Sequence, residues 1–374
     1  MADSYWLAEP APALASRPLA GPADVELVGG GVTGLSCALT LAGAGRRVRL
    51  HEAREIASGA SGRNGGFALR GGAMAYDSAR EWLGHGAAAD YWRLTEAYVD
   101  RMGKLGGDAF RRTGSLRLAG DDERDELRAE YEALSEDGFD AEWRDELPEP
   151  LAGRFPGALF HPEDAVLQPA RLVRRLAAAA VAAGVEIREH DRVEDVEALE
   201  APTVVVATDG YPSGLLGELE GLIIPTRGQM IATEPLEERL FPMPHYGRHG
   251  FDYWHQNDEG RLIAGGFRDA DMDSEFTATE ATTERIQGAL EGFVEELLGR
   301  RPEITHRWAG VFGLVPDLMP VVGRVPGGDR LWVAGGYSGH GNVLGLMCGD
   351  LVAQAILGEP HPLLERMAPA RLLA

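Results

Sequence analysis

Apolar positions along the chain alternate between short continuous runs and longer segments with helical spacing. The first apolar run covers residues 25–28, a glycine-rich turn follows at 29–34, and a helical stretch at 35–44 leads to a second run at 48–51. Short apolar runs are typical of buried strands, whereas apolar positions three and four apart predict helix. The start of the chain therefore predicts a β-α-β unit.

The same alternation continues to the end of the chain. An irregular segment rich in Gly and Ser covers residues 58–72. We predict helices at 79–102, 121–135, 169–183, 279–298 and 343–357. We predict strands at 114–118, 185–187, 204–207, 222–233, 251–255, 261–266 and 331–334. Because α/β patterns occur at the start, middle and end, they favour one domain that is interrupted by two insertions.

The chain contains no repeat of about 20–50 residues, and no low-complexity linker splits it, so we place the domain boundaries from this division. We expect the first domain to contain residues 1–80, 150–222 and 309–374. The second domain then contains residues 81–149 and 223–308. The two domains are interleaved in this prediction.

Composition restricts the function classes. The 374 residues are 44% hydrophobic and 25% charged, which is typical of a globular protein with room for two domains. The 36 basic and 59 acidic residues give a net charge of −23. Because this charge repels phosphate backbones and anionic lipids, we expect neither nucleic acid nor a membrane as a partner.

Cysteine usage and the N-terminus bear on compartment and metal binding. Cys37 and Cys348 each lie in an apolar helical pattern without a second thiol or His at ligand spacing, which argues against disulfides and zinc. The chain has no basic start followed by an apolar run, and no apolar stretch of about 18 residues. We expect a cytoplasmic protein, and a monomer or a homodimer.

The glycine-rich turn has the spacing of a dinucleotide-binding motif. Gly29, Gly31 and Gly34 form G-x-G-x-x-G between a predicted strand and a predicted helix. In this motif the glycines allow a tight turn and close approach of a pyrophosphate to the helix N-terminus. Glu52 ends the second strand, where a carboxylate accepts hydrogen bonds from a ribose. A glycine turn without a dinucleotide is the alternative.

The motif alone does not distinguish an NAD-binding protein from an FAD-binding protein. The loop at residues 58–66, Ser-Gly-Ala-Ser-Gly-Arg-Asn-Gly-Gly, offers many backbone N–H groups directly after the acidic residue. Such a loop suits a second contact with a pyrophosphate and the edge of an isoalloxazine ring. We therefore favour FAD.

With these motifs in place, the sequence resembles the FAD-dependent oxidoreductases of the D-amino-acid oxidase superfamily, most closely the γ-glutamylputrescine oxidase-like branch and the glycine and sarcosine oxidase-like enzymes. The stretches that carry the resemblance are 4–6, 28–38, 57–66, 113–118, 225–236, 252–266 and 335–349. The resemblance implies an α/β fold of glutathione-reductase-like topology. A Rossmann domain would bind FAD, and an interleaved α+β domain with a mainly antiparallel sheet would bind substrate.

The last predicted helix carries a stripe of glycines, Gly341, Gly345 and Gly349, and the first helix has Gly34, Ala38 and Ala42 at the same spacing. We expect the two helices to pack closely and bring both N-termini to one ligand. In the resembled family the last helix points at the pyrimidine edge of the flavin, where its dipole stabilises negative charge. Relatives of the sarcosine-oxidase type have Lys at the position of Val343, so this chain departs from them there.

The glycine motif and the resemblance together give the candidate cofactor contacts. They are Gly29, Gly31, Val32, Thr33, Gly34, Glu52, Ala53, Arg54, Ser58, Gly59, Ala60, Ser61, Arg63, Asn64, Gly65, Gly66, Val193, Ala207, Thr208, Gly210, Gly310, Gly336, Tyr337, Ser338, Gly339, His340, Gly341, Asn342 and Val343. Neither cysteine falls where relatives tether FAD, so we expect non-covalent binding. The candidate substrate contacts are Phe67, Tyr253, His255, Trp308 and Phe312, and the candidate catalytic residues are His340, Tyr253 and His255.

The resemblance implies oxidation of an amine or a small amino acid to an imine by hydride transfer to flavin N5. Dioxygen would then be reduced to hydrogen peroxide. Positioning supplies most of the catalysis in such a reaction. Arg63, Arg227 and Arg268 are the cations near these motifs that could hold a substrate carboxylate. The negative charge of the chain favours cationic substrates such as polyamine derivatives.

Three alternatives stay open at this point. Residues 207–213 contain an Asp-Gly pair like that of flavin hydroxylases, which also need NAD(P)H. An amine dehydrogenase is another, because the only lysine, Lys104, lies far from the flavin motifs and relatives use a Lys near N5 for the reaction with oxygen. The third is a flavin-binding subunit without catalysis that passes electrons to a partner.

Overall fold

The computed structural model describes residues 4–373, and the strands in that range form three sheets. The strands are β1 (Val25–Val28), β2 (Val48–His51), β3 (Phe67–Ala68), β4 (Phe110–Arg112), β5 (Ser115–Leu118), β6 (Glu142–Arg144), β7 (Ala158–His161), β8 (Ala165–Leu167), β9 (Glu186–Arg188), β10 (Thr203–Val206), β11 (Ile224–Pro235), β12 (His245–Gly247), β13 (Asp252–Gln256), β14 (Arg261–Gly266), β15 (Ile304–Leu314), β16 (Val321–Arg324) and β17 (Leu331–Gly335). The helices are α1 (Val32–Gly43), α2 (Tyr76–Leu83), α3 (His85–Gly106), α4 (Arg124–Glu136), α5 (Pro169–Ala182), α6 (Met272–Glu275), α7 (Glu284–Leu298), α8 (Gly341–Ile356) and α9 (Leu363–Met367).

The first sheet has six strands in the order β16-β17-β10-β1-β2-β9. All of its pairs are parallel except the edge pair between β16 and β17. Parallel strands are buried on both faces, which explains why β1 and β10 are mostly apolar rather than alternating; the one charged residue of β1, Glu26, is buried and forms an ion pair with Arg49 at 2.9 Å. The predicted β-α-β unit forms the centre of this sheet.

The second sheet has eight strands in the order β15-β11-β14-β13-β12-β5-β7-β6. Its pairs are antiparallel apart from the parallel pair between β12 and β5. A third, small sheet has the strand order β3-β8-β4, and both of its pairs are antiparallel. The predicted α/β class with a mainly antiparallel second sheet is confirmed.

Helices α1 and α8 pack closely against each other, as predicted, but the α1 atoms nearest to Gly345 and Gly349 belong to Val32, Thr33, Ser36 and Cys37 and not to the predicted Gly34, Ala38 and Ala42. A Cβ added at Gly349 would lie 2.2 Å from the carbonyl oxygen of Thr33, so only glycine allows this approach. The Ser36 hydroxyl donates to the Leu346 carbonyl at 2.6 Å, which ties the two backbones together. The hydroxyls of Thr33 and Tyr337 are 2.9 Å apart at the N-terminal ends of the helices.

Some element predictions were wrong. Residues 79–102 form two helices instead of one, because Gly84 adopts φ +85° and interrupts the helix. The eleven-residue strand β15 was missed altogether; its residues pair along nearly the full length of β11. The helix predicted from residue 279 begins at Glu284.

The proposed domain boundaries can be placed on these sheets. The boundary at residue 309 falls inside β15, which belongs to the second sheet along its whole length. Residues 158–161 form β7 in that sheet, although the prediction assigns them to the first domain. Strand pairing therefore favours moving residues 150–161 and 309–314 to the second domain. Residues 4–373 include no helix that is long and apolar enough to cross a membrane.

Candidate active site

A cavity of about 1000 Å³ extends from the six-stranded sheet to the eight-stranded sheet. One end is lined by residues at the carboxyl ends of β1, β2 and β10, and the other by β11, β12, β13 and β15. Ligands of open α/β sheets bind at the carboxyl ends of parallel strands. The cavity is thus continuous from the predicted cofactor motif to the predicted substrate domain.

The glycine motif forms the turn between β1 and α1. Gly29 has φ +113°, and a Cβ there would lie 2.5 Å from the Ala207 carbonyl oxygen. A Cβ at Gly34 would lie 2.0 Å from the Gly29 carbonyl oxygen, so this glycine allows the helix to pack on the turn. Together they hold the N-terminus of α1 at the cavity, where backbone N–H groups and the helix dipole favour an anion.

Glu52 lies at the carboxyl end of β2 and lines the cavity. One carboxylate oxygen accepts a hydrogen bond from the Gly30 N–H and the other from the Arg54 N–H, both at 2.8 Å. A carboxylate can accept about four hydrogen bonds. Glu52 therefore keeps acceptor capacity for ribose hydroxyls after it has fixed the glycine turn.

The loop at residues 58–66 is held from behind by two indoles. Trp6 donates its ring N–H to the Asn64 carbonyl and Trp308 donates to the Arg63 carbonyl, both at 2.8 Å. The Ser4 hydroxyl donates to the Gly62 carbonyl at 2.8 Å. Trp308 was predicted to contact substrate, but it is buried under this loop and does not line the cavity.

A reciprocal amide pair joins this loop to the N-terminus of α8. Asn64 donates to Asn342 and Asn342 donates to Asn64, each at 3.0 Å, and Asn342 also donates to the Phe67 carbonyl at 2.8 Å. The loop and the two helix N-termini consequently line one wall of the cavity.

His340 occupies the N-cap position of α8 without a side-chain capping hydrogen bond, and it lines the cavity. Burial lowers its pKa to about 4, so its imidazole is neutral at neutral pH. Its Nδ1 has no hydrogen-bond partner among the described residues. A neutral imidazole next to the predicted flavin site can donate or accept one hydrogen bond.

Tyr253 is the aromatic side chain that the structure places most clearly in the cavity. A Cβ at Gly265 would lie 2.4 Å from its ring, so glycine at that position makes room for it. Its hydroxyl lies 3.5 Å from the Cβ position of Gly228, and the same position is 3.8 Å from the Phe312 ring. Burial raises the pKa of Tyr253 to about 12, which keeps the hydroxyl protonated. Phe67, at 6.1 Å between ring centroids, completes this wall.

His255 lies on the same face of β13 as Tyr253 but outside the cavity. Its ring stacks on Trp6 at 6.1 Å between centroids and contacts the edge of Phe67 at 5.5 Å. Burial lowers its pKa to about 3. This position gives no support to a catalytic role for His255.

The three candidate anion-binding arginines have different surroundings. Arg227 donates two hydrogen bonds to Glu275, at 2.9 and 2.6 Å, in a buried ion pair. Arg63 donates to the Ser58 carbonyl at 2.8 Å and lies 3.5 Å from Glu280. Arg268 lines the cavity, and no carboxylate in the described chain lies within 4.0 Å of its guanidinium. Only Arg268 among the three has no ion-pair partner in residues 4–373.

Glu280 brings the segment between α6 and α7 over the cofactor end of the cavity. Its carboxylate is 2.7 Å from the Arg54 guanidinium and accepts a hydrogen bond from the Tyr211 hydroxyl. Only 6% of the Glu280 side chain is exposed. The ion pair between Glu280 and Arg54 joins the second domain to the segment that follows β2. Sequence analysis did not identify this contact.

A polar branch of the cavity was also missed. Arg117, Tyr246 and His161 line it, and Arg117 forms an ion pair with Glu130. Arg70 donates to Nδ1 of His161 at 3.1 Å, so the neutral imidazole carries its proton on Nε2. The branch gathers residues from β5, β7, β12 and α4, and no local sequence signal connects these elements.

Most predicted cofactor contacts line the cavity. The exceptions are Gly34, Ser58, Gly66, Gly210 and Gly336. Gly210 has a packing role, because a Cβ there would lie 2.3 Å from the backbone of Phe312. The buried Asp209 carboxylate next to it accepts hydrogen bonds from Gly313 and Gly336 at 2.9 and 2.8 Å. The Asp-Gly pair therefore ties three loops together.

These features fit FAD. The glycine turn leaves space for a pyrophosphate, Glu52 has free acceptor capacity, and the N-terminus of α8 faces the same cavity. Both cysteines are buried in the helices and do not line the cavity. Residues 4–373 contain no cluster of three or more His, Cys, Asp or Glu that could hold a metal ion.

Comparison with known proteins agrees with this geometry. The chain is 28% identical to the γ-glutamylputrescine oxidoreductase of Escherichia coli over 90% of this chain and 84% of that protein. It is 27% identical to the probable oxidoreductase OrdL of Haemophilus influenzae, over 91% and 84% of the respective chains. The solved structure of glycine oxidase from Geobacillus kaustophilus has the same fold, with a TM-score of 0.77, 22% identity, and coverage of 94% of this chain and 99% of that one. The profile of the DAO family, FAD dependent oxidoreductase, matches residues 24–355, and the chain belongs to this family of FAD-dependent oxidoreductases.

Proposed function

We propose that this protein oxidises the C–N bond of a primary or secondary amine, or of a small amino acid, to an imine. The observation that carries the proposal is one continuous cavity, which is lined by the glycine turn and Glu52 at one end and by Tyr253 at the other. Bound FAD would supply the acceptor for the hydride and would pass the electrons to dioxygen, with hydrogen peroxide as product. Relatives named γ-glutamylputrescine oxidoreductase and glycine oxidase support the substrate class.

The chain's own residues mainly position the reactants. Tyr253, Phe67 and Phe312 form an apolar, aromatic surface on which a neutral amine can lie against the cofactor. An apolar wall excludes water and favours the neutral form of the amine, which is the form that can lose hydride. We propose that His340 holds a polar atom of the cofactor or substrate at the N-terminus of α8. The position of both thiols outside the cavity supports non-covalent binding of FAD.

An anaerobic absorbance titration tests the proposal. Purified, FAD-loaded protein is titrated with amines, amino acids and, separately, NADPH, and air is then admitted. Bleaching of the flavin by an amine or amino acid with rapid recovery in air is the expected result. Recovery only with an artificial acceptor would show a dehydrogenase. Bleaching by NADPH alone would overturn the proposal in favour of a hydroxylase, and no bleaching by any donor would favour an electron-transfer subunit.

A further inference from the structure

The polar branch of the cavity continues a row of side chains that includes Tyr253. In the eight-stranded sheet, Tyr246 lies opposite Tyr253 on the antiparallel pair of β12 and β13, and Arg117 lies opposite Tyr246 on the parallel pair of β5 and β12. Side chains that lie opposite each other on neighbouring strands project from the same face of a sheet. All three side chains line the cavity. The cavity therefore extends from the Tyr253 wall across two further strands.

His161 joins this row from strand β7. It lies opposite Ser115, two residues from Arg117, and therefore projects from the same face of the sheet. His161 is 5% exposed and lines the cavity. Its Nδ1 accepts a hydrogen bond from Arg70, and burial holds the pKa of the imidazole well below its ordinary value. The Nε2–H is thus a neutral donor that has no hydrogen-bond partner among residues 4–373.

Tyr246 and Arg117 add further donors to the branch. The Tyr246 hydroxyl makes no hydrogen bond within the described part of the chain, and burial raises its pKa, so that it keeps its proton. The Arg117 guanidinium donates to Glu130 and to no other described residue, although a guanidinium has five N–H groups. Because polar groups in a protein interior are normally hydrogen-bonded, these converging donors indicate that a ligand with an acceptor atom binds here.

The charges around the branch disfavour an anionic ligand. Arg117 forms an ion pair with Glu130, and Arg70 forms one with Glu96 at 2.7 Å, so both guanidinium charges are neutralised. Glu126 adds another carboxylate to the lining. A carboxylate on the ligand would meet this negative charge, and an ammonium would meet the N–H donors. Donors without a net positive charge suit a neutral acceptor, such as the carbonyl oxygen of an amide.

We infer that Tyr246, His161 and Arg117 bind a neutral acceptor group, such as an amide carbonyl, at the far end of an elongated amine substrate. The inference rests on the proposed function and narrows its substrate class. Neighbouring strands are about 4.8 Å apart, so the branch lies about 5–10 Å from Tyr253 along the row. An extended chain covers about 1.2 Å per bond. The acceptor group is therefore expected about four to eight bonds from the C–N bond that reacts.

A matched series of substrates tests the far end of the cavity. For chains of about three to six carbons, the n-alkylamine, the N-acetyl diaminoalkane and the ω-amino acid of equal length are compared. Turnover of the FAD-loaded protein is followed with an artificial electron acceptor, so that the result does not depend on dioxygen. The variants are Tyr246→Phe and His161→Leu. Tyr131→Phe is the matched control, because it removes a hydroxyl from a half-buried tyrosine of α4 that does not line the cavity.

The wild type should prefer the N-acetyl compound to the alkylamine of equal length by about 10-fold or more in kcat/KM. Tyr246→Phe and His161→Leu should each lower kcat/KM for the N-acetyl compound about 3–10-fold. This loss should lie in KM, because a contact far from the reacting bond is equally strong in the ground state and the transition state. Values for the alkylamine should change less than about twofold, and Tyr131→Phe should match the wild type.

Three results would overturn the inference. The first is equal kcat/KM of the wild type for the N-acetyl compound and the alkylamine at every chain length. The second is an unchanged preference in Tyr246→Phe, which decides the matter even if His161→Leu does not retain FAD. The third is a loss in Tyr246→Phe that is as large for the ω-amino acid or the alkylamine as for the N-acetyl compound, since this would show an anion site or a general effect on the active site.

Binding without turnover separates this inference from the proposed reaction. N-butylacetamide, which has no amine to oxidise, is titrated into the oxidised, FAD-loaded protein by calorimetry. If no amine reduces the flavin but the wild type binds N-butylacetamide about 3–10-fold more tightly than Tyr246→Phe does, the proposed reaction fails and the acceptor site stands. If amines reduce the flavin but the wild type and Tyr246→Phe bind N-butylacetamide equally, the reaction stands and the acceptor site fails.

Discussion

Replacing Gly349 by Ala tests whether the close contact between α1 and α8 builds the cofactor site. The added Cβ would lie 2.2 Å from the Thr33 carbonyl oxygen and 3.0 Å from the Ser36 Cβ. Since ordinary contact begins at 3.4 Å, the helices must separate by about 1 Å to relieve the overlap with a backbone atom that has no rotamer to change.

The expected change in the free energy of unfolding has three contributions. Overpacking in a tight core costs about 1–3 kcal/mol. Separation of the helices also weakens the hydrogen bond from Ser36 to Leu346, for about 1 kcal/mol. The better helix propensity of Ala returns about 1 kcal/mol. We expect a net loss of about 1–3 kcal/mol in the free energy of unfolding, and because the N-terminus of α8 moves away from the flavin, FAD affinity should fall about fivefold.

The assay is chemical denaturation of the FAD-free protein, followed by fluorescence titration with FAD. Gly292→Ala is the matched control, because Gly292 is an exposed glycine in α7 with no atom within 4 Å of its Cβ position. That control should gain up to about 1 kcal/mol from helix propensity. If Gly349→Ala gains stability like the control and binds FAD as the wild type does, the packing argument is refuted.

Three further predictions concern the cofactor site and pH. Glu52→Gln should weaken FAD binding about 10-fold or more in the same titration, since a charged acceptor of ribose hydroxyls is lost; an unchanged affinity would remove Glu52 from the site. Glu280→Gln should speed FAD release about 10-fold in a stopped-flow chase, because the ion pair between Glu280 and Arg54 is lost. An unchanged rate would show that the segment between α6 and α7 does not limit FAD release. Burial lowers the pKa of His245 to about 4, below its unfolded value of 6.5, so its contribution to stability is complete above pH 6.5 and is lost as pH falls toward 4. His245→Gln should therefore reduce the stability difference between pH 7 and pH 5 by about 2 kcal/mol in urea titrations, and an unchanged difference would contradict the burial argument.

The cofactor end of the site could be predicted because its signals are local. A strand, a glycine turn, a helix and an acidic residue follow one another within the β1-α1-β2 segment, and each has a backbone reason for its residue type. The glycine stripe of α8 predicted the contact with α1 for the same reason, since spacing along a helix fixes which residues share a face.

The substrate end could be predicted only as a set of candidates. Alternation along β13 placed Tyr253 and His255 on one face, but the N-terminal segment covers His255 through Trp6 and leaves Tyr253 open. Trp308 is on the cavity side of β15, opposite Met230, yet loop 58–66 lies over it. A sequence pattern determines the face of a side chain, whereas the position of other segments determines whether that face is exposed.

The ion pairs of the three arginines also separate what the sequence determines from what the tertiary structure determines. The sequence by itself determined that the chain is acidic and α/β, that it has a dinucleotide-binding glycine turn, and that three arginines lie near the flavin motifs. These properties follow from composition and local periodicity. Only the tertiary structure decided that Glu275 neutralises Arg227, that Glu280 lies beside Arg63, and that Arg268 lines the cavity with no carboxylate of the described residues within 4.0 Å. Pairing depends on distances of a few ångströms between residues far apart in sequence, and electrostatic attraction weakens too steeply with separation and solvent for composition to predict it.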